Sequence, residues 1–600
     1  QASPCVNIAQ LGTIFGARRA ASFRTWRVMG CRLACASDKE PKPFVKANVV
    51  AVNSKTDYLW HERLYHALCV SGGGSRALSH SLGCYRALNE LDLIKPLNAI
   101  SCVSGGAWCS SIFMFAKKYK GKAIDTEELL GPLTEPKNLS MSVLQESVAP
   151  LASGIVEKDS DEILAAKAVE FRNKEWEVWP HLIAEWLYRN FDDLKRFDMY
   201  LALNQEGIDR IKRNNPNLET AEFLTPRTDR PKTFIINGTM VAPIGRLADA
   251  DNVCSFQMSP EYTGSPYYPD NQQVMYYKGP CCCPCDKCLY KHCTVLKRTV
   301  GGGFVETFAF GGEAPQTLKQ RGGEDVVVGQ PEKPFSLPYP VGMSSWAPGL
   351  KMNSMRLRLN VLNIRKKYWP VTSSILPQAQ PSLQYEFSDG GNINNSGILP
   401  LMQRKAKKIL WICNSFSDLN DNYDWGNATA ANFDPQAAGF ADQLYCLFGY
   451  LNKKEGHGFY YCHNHVFEKE LLFPICRTIR RLVDEGKPAV VSTAELFETK
   501  MKVLENDWWG ITSFEMDFVI VYLATCKDFV NQLPEDTKEE LRKGKEGAFF
   551  DFPVYKTEEE NWPDALGLSI PQVNLLAAQA EYSIKMNADL LHNFLHTTSL

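Results

Sequence analysis

From Tyr58 onward, apolar runs of strand length alternate with segments whose apolar positions recur at helical spacing, which predicts one α/β sheet rather than separate strand and helix domains. Leu64 to Val70 is an apolar strand that runs straight into Ser71-Gly72-Gly73-Gly74-Ser75-Arg76, and Leu78, Leu82, Tyr85, Leu88 and Leu91 then follow at helical spacing. A second unit repeats the arrangement: Leu97 to Val103 as a strand, Ser104-Gly105-Gly106 as a sharp turn, then a helix through Trp108, Ile112 and Phe115. Ser140 to Asn215 reads as helical and holds Trp176, Trp179 and Trp186; large aromatics there are core residues of a cap over the sheet. Further strands are expected at Thr233 to Asn237, at the strictly alternating Leu383 to Ser388, at Ile409 to Cys413 and at Phe518 to Ala524. Phe467 to Glu485 and Gln572 to Leu595 are amphipathic helical runs, and the C-terminal part reads as mainly helical. Residues 255 to 350 read as an irregular Gly, Pro and Cys-rich insertion or functional loop region.

Composition narrows the class. With 44% hydrophobic and 22% charged residues the chain is an ordinary folded one, not a disordered one. Its 66 basic and 68 acidic residues leave a formal net charge of −2, so no global field recruits nucleic acid. No uncharged apolar run reaches bilayer length, so a soluble or peripheral protein is expected. The 19 cysteines are an odd number and mostly lie singly in apolar segments, which suits free thiols in a reducing, intracellular compartment. The first 37 residues lack Asp and Glu but carry Arg18, Arg19, Arg24, Arg27 and Arg32. That is the composition of an organelle transit peptide, or of a basic arm attracted to anionic lipid.

Three stretches carry candidate chemistry. Successive glycines between a strand and a helix let backbone N–H groups converge on an anion, so Gly72, Gly73 and Gly74 are candidates for binding phosphate or an oxyanion. The spacing fits neither the dinucleotide fingerprint nor the P-loop. Arg76, in the first helical turn, either meets an anionic headgroup or braces the loop. Ser104 sits on a strand-to-helix turn beside Gly105 and Gly106, the shape of a nucleophile elbow, although Cys102 stands where a leading Gly is usual. Its hydroxyl needs a base. His463 and His465 follow no strand-end pattern; Asp389, at a strand end before two glycines, is the better candidate if shielded from water.

Together, Gly72-Gly73-Gly74-Ser75-Arg76, Ser104-Gly105 and Asp389-Gly390-Gly391 resemble the signature set of patatin-like and cytosolic phospholipase A2-type (lysophospholipase) acyl hydrolases. The wide gap between Ser104 and Asp389 is closer to the cytosolic phospholipase A2 branch. So are Phe234 to Thr239, Phe256 to Gly264 and Gly342 to Ala347. The resemblance runs from about Leu64 to Ser415, with Ser75 in place of the apolar residue often found before the Arg. It implies an α/β fold with a patatin/cytosolic phospholipase A2-like, mostly parallel central sheet flanked by helices, a helical cap and C-terminal helices. It also implies Ser104 as nucleophile, Asp389 as general base, an oxyanion hole from the Gly72, Gly73 and Gly74 amides, and Arg76 in substrate binding. The substrate implied is a phospholipid ester met peripherally at a membrane surface, and no cofactor is required for catalysis. No segment resembles a calcium-binding C2 domain. The division expected is a basic arm over 1–57, an acyl-hydrolase domain over 58–450 and a helical C-terminal part over 451–600. Within the second, a cap spans about 125–230 and a Cys-rich insertion about 265–335.

One cluster stands outside that scheme. Cys281 to Cys293 includes Cys282, Cys285 and Cys288 at zinc-loop spacing, and Cys293 or His292 completes a tetrahedron, so a structural zinc is a candidate cofactor. S-acylation, disulfides, and a protein whose function is metal or redox chemistry at this cluster are the alternatives, as is a non-catalytic lipid- or anion-binding role for the whole fold. Metal analysis of the purified chain decides the zinc reading: stoichiometric zinc is the expected result, and metal-free protein of normal stability refutes it.

Overall fold

The computed structural model of the chain describes residues 43–52, 64–156, 178–248, 252–266, 274–278, 295–315, 325–354, 363–371, 380–414, 417–451, 461–555 and 567–596. A 14-stranded sheet organises them. In chain order its strands are β1 (Phe44–Ala51), β2 (His66–Val70), β3 (Ala99–Val103), β4 (Thr233–Pro243), β5 (Cys254–Met258), β6 (Tyr262–Ser265) and β7 (Gly303–Glu306). They continue with β8 (Asp325–Gly329), β9 (Ile364–Tyr368), β10 (Leu383–Asp389), β11 (Lys408–Cys413), β12 (Val490–Ser492), β13 (Met501–Val503) and β14 (Phe514–Tyr522). The lateral order is β8-β1-β7-β6-β5-β4-β3-β2-β11-β14-β12, with β10 joined to β4 and β9, and β13 joined to β14.

The centre of the sheet, β4-β3-β2-β11-β14, is parallel. These strands are nearly continuous apolar runs, as strands buried on both faces must be. Outward from β4 and β14 the pairing becomes antiparallel. The fold is thus α/β, a large central sheet flanked by helices. Its first two crossovers use α1 (Gly74–Glu90) and α2 (Ser104–Phe115). Later helices are α3 (Thr126–Leu130), α4 (Gln205–Asn214), α5 (Pro338–Ser345), α6 (Leu472–Asp484), α7 (Ile570–Lys585) and α8 (Ala588–His596).

Several expectations need correcting. Phe44–Ala51 is not part of a detached arm: it is strand β1, paired with both β7 and β8. Its alternating exposed and buried positions mark a strand with one face on the core. Where described, the stretch from 255 to 350 is not irregular, since it supplies β5 to β8. Those strands are only four or five residues long and include sequences such as Tyr262-Thr263-Gly264-Ser265, too short and Gly-rich to show a period. The C-terminal part, where described, is mainly helical but also carries strands: β14 joins the parallel centre beside β11, with β12 and β13 on it. The region expected to form a cap consists, where described, mostly of short helical turns, including Val178–Leu182 running into a π-helical turn at Ile183–Leu187. Trp179 and Trp186 are buried there. Residues 279–294, with Cys282, Cys285, Cys288 and Cys293, lie outside the described residues. The described cysteines are free and, apart from Cys462, buried. Among the described residues no helix is long and apolar enough to cross a membrane.

Helices α1 and α7 cross where α1 has no side chain. A Cβ on Gly83 would stand 1.9 Å from the Ala577 carbonyl oxygen, inside backbone that has no rotamer to give way. Gly83→Ala is therefore expected to destabilise the protein by about 3 kcal/mol, the upper range for overpacking, read as a lowered midpoint of thermal or urea unfolding.

Candidate active site

Strand β4 builds the site. Along one edge its first half pairs in parallel with β3, ending at Val103 opposite Asn237. Its second half pairs antiparallel with β10, ending at Asp389 opposite Gly238. The other edge of β4 is taken by β5. The C-terminal ends of β3 and β10 therefore meet head to head, and the residues that leave those ends, Ser104 and Asp389, are brought together. Ser104 Oγ donates to Asp389 Oδ2 at 2.7 Å. The second carboxylate oxygen, Oδ1, accepts the Gly391 N–H at 2.7 Å, which fixes the plane of the group. Both residues are buried, 8% and 5% exposed, so water has little access to the shared proton.

Ser104 occupies the left-handed region at φ 50°, uncommon for a residue with a Cβ and the mark of a strained elbow. What holds it there is a chain of polar contacts. The Ser104 N–H donates to Ser344 Oγ at 3.0 Å, and Ser344 Oγ donates to the Asn237 carbonyl at 2.6 Å. Asn237 in turn donates its side-chain amide to Ser101 Oγ and the Cys102 carbonyl. Cys102 fits beneath the turn with Sγ toward the Ile235 carbonyl, its thiol pushed up by burial. Directly after the elbow the backbone touches the Gly loop, and a Cβ on Gly105 would lie 2.1 Å from the Gly74 carbonyl oxygen.

The predicted loop residues separate into two kinds. The Gly72 N–H is committed to the Asn395 carbonyl at 3.0 Å, so Gly72 is corrected from anion donor to structural tie. Gly73, at φ 138°, turns the chain into α1, and the Gly73 and Gly74 amides meet no acceptor among the described residues. Arg76 is fully buried and donates Nη1 to the Val554 and Tyr555 carbonyls at 3.1 and 2.9 Å, the position of a brace rather than of a headgroup ligand. Behind the loop, Asn414 donates its N–H to Ser71 Oγ and its side-chain amide to the Ser71 carbonyl, while its Oδ1 pairs with His80 Nδ1 at 2.7 Å. On the carboxylate side Tyr461 donates to the Gly391 carbonyl at 2.6 Å and Asn464 to the Ile393 carbonyl. His463 stacks on Trp508, and His465 bonds the Phe467 carbonyl. Ser104 is thus hydrogen-bonded to a carboxylate, not to an imidazole.

Sequence reasoning did not single out Asn395, Asn414, Tyr461, Asn464 or Ser344. Only Ser344 and Asn237 lie in stretches that carried the family resemblance. Among the described residues no group of His, Cys, Asp and Glu side chains is placed to hold a metal ion.

No protein-family model matches the chain, and no curated protein matches it. Among solved structures, human GIVD cytosolic phospholipase A2 is similar over 90% of this chain and 62% of that one, at 10% identity and a TM-score of 0.38. Its complex with methyl γ-linolenyl fluorophosphonate is similar over 89% of this chain and 59% of that one, at 13% identity and a TM-score of 0.36. The chain spans about 60% of the length of those structures.

The buried polar ties behind the Gly loop have a measurable signature. Burial, aided by the nearby Arg76 charge and opposed by the Asn414 bond, lowers the His80 pKa to about 4. The unfolded chain takes up this proton below about pH 6.5, whereas the folded one refuses it until about pH 4. Stability is then full above pH 6.5 and falls between those values, by up to about 1.4 kcal/mol per pH unit from this group. Denaturant unfolding at pH 7, 5.5 and 4.5 should show a shallower acid loss in His80→Gln than in the parent chain.

Proposed function

We propose that the chain is a lipid acyl hydrolase of the phospholipase A2 or lysophospholipase type, working through a Ser104–Asp389 dyad and an acyl-enzyme. The observation that carries this reading is the 2.7 Å bond from the Ser104 hydroxyl to a buried carboxylate, at the tip of a strained elbow. A serine hydroxyl is a poor nucleophile unless a base receives its proton as the new bond forms. Asp389 Oδ2 is in place to receive it, and the Gly391 N–H on Oδ1 keeps the carboxylate from turning away. Ser104 Oγ attacks the ester carbonyl, and the proton held on Asp389 then passes to the departing alkoxide. Water, deprotonated by the same carboxylate, releases the acyl group and restores the serine.

Negative charge develops on the carbonyl oxygen in both steps. The Gly73 and Gly74 amides, with Gly105 at the start of α2, are the donors assigned to it. Each such donor contributes about 3–4 kcal/mol to the transition state in well-studied hydrolases. Arg76 acts at one remove by bracing the loop against Val554 and Tyr555. These steps draw on side chains and amides of this chain alone. The resemblance of the three motifs supports a phospholipid ester as substrate, met by peripheral association with a membrane, and the free buried thiols support an intracellular setting.

A fluorophosphonate probe reacts only with an activated serine, and it should label Ser104 in the parent chain. Ser104→Ala and Asp389→Ala are each expected to lower ester hydrolysis by about 10⁴-fold or more with circular dichroism unchanged. Labelling and hydrolysis that persist in Asp389→Ala would overturn the dyad. An unlabelled but folded parent chain would favour a non-catalytic anion-binding role for the loop.

A further inference from the structure

A cavity of about 970 Å³ opens beside the C-terminal turn of α1, between that turn, the Tyr119–Ile124 turn, α3, residues 131–150 and α7. Gly74 and Arg86 stand at opposite ends of α1, about 18 Å apart along the helix axis, so the cavity is distinct from the Ser104 site. Its volume falls in the range of small-molecule sites. Ile124, Leu130, Leu139 and Leu144 form buried apolar parts of its wall.

Arg86 lies in the same wall, its side chain only 10% exposed. Nε donates to the Leu130 carbonyl at 3.0 Å, and Nη1 donates to Glu581 Oε2 at 3.3 Å. Nη2 has no acceptor among the described residues and is open to the cavity. Its one carboxylate partner is itself compromised: burial, opposed by the Arg86 charge, pushes Glu581 up to about 7. Lys585 and Glu90 are the other charges facing Glu581. Near neutral pH the cavity wall therefore holds a buried cation that is only partly compensated. At the outer edge Glu127, Glu128 and Glu146 are exposed, and they oppose entry of a dianion more than of a monoanion.

We propose that this cavity binds a single-chain fatty acid, its carboxylate on Arg86 and its hydrocarbon chain against the leucine wall. This inference does not depend on the hydrolase reading. Titration of oleate below its micellar range into the full chain should give saturable one-to-one binding. Arg86→Gln should weaken it about tenfold or more, the loss of a charge-assisted hydrogen bond. Oleyl alcohol, lacking the charge, should bind the parent chain about tenfold more weakly than oleate. Glu581→Gln removes the competing carboxylate and should bind oleate at least as tightly as the parent. Val143→Trp puts an indole into the cavity from a second lining position and should abolish binding, which keeps the test valid if thermal melts show Arg86→Gln to be unfolded. Ser104→Ala should bind oleate like the parent chain, so failure of this site and failure of the dyad are read separately. Oleate affinity unchanged in Arg86→Gln and Val143→Trp, equal affinity for oleyl alcohol, or loss of binding in Ser104→Ala would overturn the proposal.

Discussion

Everything at the candidate site depends on how one strand edge is shared. β4 is long enough to carry β3 along its first half and β10 along its second, and the two partners approach from opposite directions. Two chain segments 285 residues apart then end at adjacent positions, Asn237 and Gly238. Sheet hydrogen bonds set this register, and a one-residue slip in either partner would turn its side chains to the other face. The Ser104–Asp389 geometry is in this sense a consequence of strand pairing, not of local turns alone.

The second requirement is close approach. The Ser104 elbow and the Gly loop are layered backbone to backbone, as the contact of Gly105 with Gly74 shows, and the Asn395 side chain packs against both Gly72 and Gly391. Polar contacts lock the layers: the Ser344 side chain on the Ser104 amide, the Asn395 backbone carbonyl on the Gly72 amide, the Asn414 side chain on Ser71 and the Tyr461 hydroxyl on Gly391. In a site this poorly hydrated each such bond is electrostatically stronger than in water, and leaving one unmade is costly.

Much of the centre was legible because its signals are local. Leu64 to Val70 followed by glycines, Leu97 to Val103 followed by Ser104, and Leu383 to Ser388 followed by Asp389 each announce a strand and the sharp turn that ends it. The flanks were not legible. Strands β5 to β8 are short, β6 to β8 contain Gly, and their stability comes from neighbours distant in the chain. Phe44–Ala51 alternates well enough to be read as a strand, but its basic surroundings drew it into an arm. The Gly72 tie, and the choice between the two roles open to Arg76, were not legible for a related reason. A motif names residue types, whereas the partners that occupy an N–H or a guanidinium, here Asn395 and the 554–555 backbone, come from elsewhere.

By itself the sequence determined the α/β class, the strand-turn-helix units and the identity of the two residues able to share a proton. Those are matters of period, residue size and side-chain chemistry within a few positions. Tertiary structure alone decided that the serine and the carboxylate meet, which glycine amides stay free, and that Arg86 faces a cavity with its charge half answered. Such outcomes depend on which distant atoms arrive within hydrogen-bond reach, and long-range strand register and helix packing control that.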